Sequence, residues 1–197
     1  YAPYGNWSLD EKLAIMAERG THNFIVIAID HGREKRIEEY TPSHQTKVGM
    51  GDGNKYARFL ADTLKPYVDE HFRTKPERGN TGIGGSSMGG LISLYAGLLY
   101  PEVYSKLLIF SPSLWVAPNL LSRIPNFVAG KHMKIYLYAG EEEGPNVVEN
   151  TVQLKEKLGS LFQNKSLLET YLSIHPHGKH SEHYWGQEFI KAAEWLY

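Results

Sequence analysis

T-G-I-G-G-S-S-M-G-G-L-I-S-L, residues Thr81 to Leu94, sets five glycines around two adjacent serines and then begins an apolar helical pattern at once. Glycine loses more freedom on ordering than any other residue, so such a cluster marks a place where backbone geometry or close approach is needed. Three kinds of site ask for this: a phosphate cradle, a dinucleotide turn, and a strained turn presenting a nucleophile. A phosphate loop needs a lysine after its glycines, and none follows here. A dinucleotide turn would want its third glycine at Ser87, and the next strand ends in Ser111 where an acid for the ribose belongs. The third site fits throughout, because Gly85-Ser86-Ser87-Met88-Gly89 is G-x-S-x-G between a strand and a helix. Ser86 is also a hydroxyl, but only Ser87 has glycine at both flanking positions. The helix start would add partial positive charge beneath the serine, and the Met88 N–H would be an oxyanion donor.

Outward from this turn, the chain alternates strands and helices. Phe24 to Ile29 (FIVIAI), Asn80 to Gly85, Lys106 to Phe110 (KLLIF), Lys134 to Ala139 (KIYLYA) and Leu168 to Ile174 read as strands. The all-apolar ones are expected to be buried on both faces. Helices are expected over Ser8–Gly20, Asn54–Phe72, Leu91–Leu99 (stopped by Pro101), Asn119–Val128, Val147–Phe162 and, after the turn H-P-H-G-K-H, up to Tyr197. Ser8 and Glu11 read as a capping box, Gly20 as a C-cap, and Pro66 as a kink. Asp30 to Gly53 is a long polar segment, either functional or wrapped on the surface. The whole predicts one α/β domain over residues 1–197: a mostly parallel sheet of about five strands with helices on both faces.

The 197 residues are 42% hydrophobic, enough for a sizeable core. A net charge of -1 gives no general electrostatic reason to bind nucleic acid or an anionic membrane. No apolar run is long enough to span a bilayer, which implies a soluble protein and leaves its compartment and oligomeric state open. Tyr1 to Asp10 lacks the basic start and apolar centre of a signal peptide. With no cysteine, disulfides, thiol catalysis and thiolate metal sites are excluded.

A serine nucleophile needs a base and an orienting acid, in the chain order serine, acid, histidine for a fold with this turn. After KIYLYA comes Gly140-Glu141-Glu142-Glu143-Gly144, and after the last strand come His175, His177, His180 and His183. Most acidic runs are solvated loops, but this one lies where the acid is required. The histidine spacings would also suit zinc, though no histidine pair at i, i+4 flanks a glutamate and no metal or organic cofactor is implied.

These residues together resemble the esterase branch of the α/β-hydrolase fold, which includes enterochelin esterases, feruloyl and acetylxylan esterases and the mycobacterial mycolyltransferases. The resemblance covers nearly the whole chain. It rests on I-A-I-D-H-G with R-x-x-E-Y-x-P at Arg36 to Pro42, on G-G-S-S-M-G-G, on G-x-x-E-G at Gly140 to Gly144, and on G-K-H-S-E-H-Y-W. It implies His180 as the base, in G-x-H with Trp185 five residues on, and His183 as the weaker choice. It implies Glu143 as the acid, with Glu141 the alternative. It also implies three strands and a second oxyanion loop ahead of Phe24 that this chain has no room for, so the domain is expected to be N-terminally incomplete. The expected activity is a carboxylic-ester hydrolase acting through an acyl-enzyme with a Ser87-His180-Glu143 triad, on a small-molecule or glycan ester such as an acylated carbohydrate, with an acyltransferase or a silent binding domain as alternatives. Trp115 and Trp185 would bind substrate, and Tyr184 and Trp7 are further aromatic candidates.

Overall fold

A computed structural model of the chain describes residues 5–20, 23–124, 130–162 and 164–197. Its first helix, α1, spans Leu9–Glu18 and ends with Gly20 at a positive φ of 66°, as a C-terminal glycine should. The expected capping box does not form. Ser8 itself sits at φ 46°, outside the extended region that a capping residue uses, and its hydroxyl and N–H both bond Asn6 Oδ1 at 2.8 Å.

The run Phe24 to Ile29 is a correction to the sequence reading: it forms no strand, and Ile25, Val26, Ile27 and Ile29 are 39–48% exposed. β-branched composition makes a segment suited to a sheet, but a strand exists only where a neighbour completes its ladder. None does here among the described residues. The polar segment that follows is built rather than loose, with α2 at Arg36–Tyr40 and a small antiparallel hairpin of β1, Gln45–Thr46, and β2, Gly49–Met50. α3 spans Gly53–Phe59 and α4 spans Lys65–His71, joined by a π-helical stretch at Leu60–Leu64. Pro66 cannot donate a helical hydrogen bond, and the widened turn before it lets α4 restart with the proline in its first turn.

Among the described residues four strands, rather than about five, make the main sheet. β3 is Gly82–Ser86, followed by α5 at Met88–Leu99; β4 is Lys106–Phe110; β5 is Met133–Gly140, followed by α6 at Val147–Leu161; β6 is Leu168–His175, followed by α7 at Glu182–Leu196. All are parallel in the order β3-β4-β5-β6. Of the helix expected over 119–128, Leu120–Arg123 form a 3₁₀ turn and 125–129 lie outside the described residues.

Alternation explains why the strands are apolar throughout. Leu107, Ile109, Ile135 and Leu137 face one layer, with Leu91, Leu94, Leu98, Leu154 and Leu158 from α5 and α6. Leu108, Phe110, Tyr136 and Tyr138 face the other, with Met16 of α1 and Trp185, Phe189 and Ala192 of α7. Period two thus gives each strand two buried faces. The register sets Ser86, Phe110 and Tyr138 in one row, and Gly140 beside His175 two residues further on. Every strand therefore delivers its following loop to the same edge. No helix among the described residues is long and apolar enough to cross a membrane.

Ile109 is fully buried at the middle of this arrangement. Ile109→Ala should destabilise the chain by about 2–5 kcal/mol and Ile109→Val by about 0.5–1.5 kcal/mol, read from chemical denaturation midpoints.

Candidate active site

Ser87 stands between β3 and α5 with φ 57° and ψ −125°, a strained conformation for a residue with a side chain. Its N–H bonds the Phe110 carbonyl at 3.0 Å, and its own carbonyl receives Ser113 N–H at 3.1 Å and Leu91 N–H at 3.1 Å. These bonds hold the turn. Gly85 is required by close approach, since a Cβ there would lie 2.7 Å from the Gly89 backbone. A Cβ on Gly89 would meet open space, so the crowding acts on the first glycine of the pair. Met88 opens α5, where N–H groups have no acceptor within the helix.

The structure brings Ser87, His180 and Glu143 together. Ser87 Oγ lies 3.0 Å from His180 Nε2, and His180 Nδ1 lies 2.8 Å from Glu143 Oε2. The His180 side chain is 42% exposed, whereas that of Glu143 is fully buried. Glu143 Oε1 accepts the Gly140 N–H at 2.6 Å and the Ser111 hydroxyl at 2.7 Å. A buried carboxylate needs such donors, because an unpaired charge out of water is strongly disfavoured.

The other candidates stand apart. Glu141, Glu142 and Glu143 form a single 3₁₀ turn, in which successive side chains diverge by about 120°. Only one can face the imidazole. Glu142 turns outward to His177 at 3.1 Å and Lys179 at 3.7 Å, and the His177 hydrogen bond, then Lys179, holds its carboxyl below the ordinary range. Glu141 is exposed. His183 pairs with Gln187 at 3.0 Å, and His175 Nδ1 accepts the His177 N–H at 3.1 Å. No group of residues with metal-binding geometry occurs among the described residues.

The two tryptophans separate. Trp115 is 56% exposed, two residues beyond Ser113, whose Oγ lies 3.3 Å from that of Ser87. Trp185 is only 4% exposed, so it has no face free for substrate. Its indole N–H instead donates to Ser111 Oγ at 2.9 Å, and its ring stands edge-on to His180 with centroids 4.8 Å apart. Ser111 and Ser113 escaped the sequence reading as site residues. The signal was S-P-S directly after KLLIF, polar residues at the carboxyl end of a parallel strand, where α/β sheets place their ligands.

The loops that carry Glu143 and His180 meet backbone to backbone. Glu142 N–H bonds the Gly178 carbonyl at 2.9 Å. A Cβ on Gly140 would collide with the Gly178 carbonyl, and one on Gly178 would lie 2.5 Å from Tyr138 Oη and 2.7 Å from Gly140 Cα. Burial first, and then the Glu143 charge, push the Tyr138 phenol above its ordinary range, so it remains protonated beneath this contact.

A serine hydroxyl, an imidazole and a buried carboxylate in one hydrogen-bonded line can pass a proton from the serine oxygen as it attacks. The Esterase family model, described as "Putative esterase", matches residues 4–196. The chain belongs to this family and is an esterase. Among relatives, the uncharacterized protein YbbA of Bacillus subtilis is 27% identical over 176 residues, covering 83% of this chain and 70% of YbbA. The ferri-bacillibactin esterase BesA of the same organism is 29% identical over 122 residues, covering 57% of this chain and 42% of BesA. The crystal structure of the BES protein from Bacillus cereus shares the fold with a TM-score of 0.73 at 20% identity, covering 93% of this chain and 74% of that one.

Gly178→Ala should destabilise the protein by about 1–3 kcal/mol, because the added methyl must displace backbone or the Tyr138 ring. Gly79→Ala, where a Cβ meets open space, should change stability by less than about 0.5 kcal/mol in the same denaturation measurement.

Proposed function

We propose that the protein hydrolyses carboxylic esters through an acyl-enzyme on Ser87, with His180 as general base and acid and Glu143 as the acid that orients it. The carrying observation is the line of hydrogen bonds from Ser87 Oγ through both nitrogens of His180 to Glu143. Ser87 Oγ attacks the ester carbonyl while His180 Nε2 takes its proton, and the oxyanion develops toward the Met88 N–H at the helix start. Collapse expels the alcohol, which takes that proton from His180. Water then attacks the acyl-enzyme with the same imidazole as base, releasing the acid and restoring Ser87. Glu143 holds the imidazole in the tautomer with its proton on Nδ1 and stabilises the imidazolium that forms. Because His180 is 42% exposed, water has access to the acyl-enzyme, and product analysis with sugar acceptors present separates hydrolysis from acyl transfer.

For substrate, the name of BesA favours the ester of a siderophore, ahead of the acylated carbohydrate that the family resemblance suggests. Trp115 would supply an exposed aromatic face for an aryl or sugar group beside the nucleophile. A panel containing ferri-bacillibactin, a feruloyl ester and acetylated xylan should give the highest kcat/KM on the siderophore. Trp115→Ala should raise KM roughly 3–10-fold with kcat retained.

A fluorophosphonate should label Ser87, mapped by mass spectrometry, and Ser87→Ala should lower kcat by about 10³-fold or more. Labelling elsewhere, or activity surviving in Ser87→Ala, would overturn the assignment. His180→Ala should be comparably severe and His183→Ala mild, and EDTA should have no effect. Loss of activity in EDTA, with equal harm from both histidine variants, would point to a metal site instead.

A further inference from the structure

We propose that Ser111 and Trp185 form a positioning relay that fixes the Glu143 carboxylate for His180, an inference that rests on the reading of Glu143 and His180 given above. Ser111 is 1% exposed and Trp185 4%, so neither is available to substrate. An indole N–H can only donate. Lying 2.9 Å from Ser111 Oγ, it makes that oxygen the acceptor and leaves the single serine proton to point at Glu143 Oε1, 2.7 Å away. Trp185 therefore sets the direction of the Ser111 hydroxyl. Oε1 also receives the Gly140 N–H, so it holds two donors and Oε2 is the oxygen turned to His180 Nδ1. The last torsion of a glutamate is broad and roughly two-fold, and two donors on one oxygen narrow it to one orientation.

Two further observations fit the same role. Ser111 sits at φ 43°, a left-handed conformation that glycine would adopt with less strain. Glycine has no hydroxyl, which is a reason for a serine at a position the backbone alone would give to glycine. The Trp185 ring also stands edge-on against the imidazole, centroids 4.8 Å apart at 85°. One side chain thus constrains the acid through a hydrogen bond and the base through contact.

The experiment is steady-state kinetics on Ser111→Ala, Ser111→Gly, Trp185→Phe and the double variant Ser111→Ala/Trp185→Phe, with folding checked by thermal denaturation. A hydrogen bond to a charged group corresponds to roughly 10–100-fold in rate, so Ser111→Ala should lower kcat by about that factor with KM within about twofold. Ser111→Gly relieves the backbone strain yet should be as slow as Ser111→Ala. Trp185→Phe keeps an aromatic ring against His180 and removes the N–H; it should lower kcat roughly tenfold, and the double variant should be no slower than Ser111→Ala within about threefold. Recovery of kcat in Ser111→Gly, fold-changes that multiply in the double variant, or unchanged kcat in folded Ser111→Ala would each overturn the relay. If Trp185→Phe does not fold, the two Ser111 variants decide alone. Fluorophosphonate labelling of the unsubstituted protein separates the two failures: no adduct on Ser87 defeats the triad reading, whereas a normal adduct with unimpaired Ser111 variants defeats only the relay.

Discussion

A carboxylate with no contact to water governs the geometry of this esterase. The Glu143 side chain is fully buried, and an ionised group there persists only if donors replace its hydration. Those donors come from the ends of three strands: Gly140 N–H at the last residue of β5, the Ser111 hydroxyl just after β4, and the His180 ring in the loop after β6. Each loop must therefore reach one point, and the tolerances are tight. The backbones at Gly140 and Gly178 touch so closely that neither position has room for a methyl group. Pairing of a buried charge thus fixes loop paths as firmly as apolar packing fixes the strands.

The parallel sheet makes that convergence possible. In register, Ser86, Phe110 and Tyr138 lie in one row, with Gly140 two residues beyond, so the turn at Ser87, the Ser111–Ser113 loop and the glutamate turn leave from the same edge. The helix that follows Ser87 begins beneath the hydroxyl, placing unpaired N–H groups where negative charge would develop. The layer of α7 then supplies Trp185 from the opposite side of the sheet to α5. Core and site are continuous at this residue: its indole packs with Phe110 and Tyr138 in the apolar layer, and its N–H enters the hydrogen-bond network.

Composition alone could not rank the three glutamates or the four histidines. A 3₁₀ turn sends adjacent side chains in different directions, so one glutamate turns inward while its neighbour pairs with His177 and Lys179 at the surface. Among the histidines, only His180 follows a loop pinned by Gly178 to the glutamate turn. His183 has already entered α7 and pairs along the helix with Gln187.

What the sequence by itself determined are the features whose cause is local. Glycines at 85 and 89 around Ser87 record a strained turn, and KLLIF and KIYLYA record strands buried on two faces, because backbone geometry and periodicity act within a few residues. G-x-H at Gly178 to His180 singled out His180 through resemblance, and the close backbone approach supplies a physical cause for its glycine. Only the tertiary structure decided which partners meet. Ser87 and His180 are 93 residues apart in the chain and Trp185 and Ser111 are 74 apart, so no local pattern encodes their bonds. The same reason explains the misreadings. Phe24 to Ile29 has the composition of a strand but lacks a neighbour to pair with among the described residues, and Trp185 reads as a substrate-binding aromatic until α7 folds it beneath the imidazole. Propensity belongs to a segment, whereas a hydrogen-bond ladder or a buried contact belongs to two segments at once, and the second is supplied only by folding.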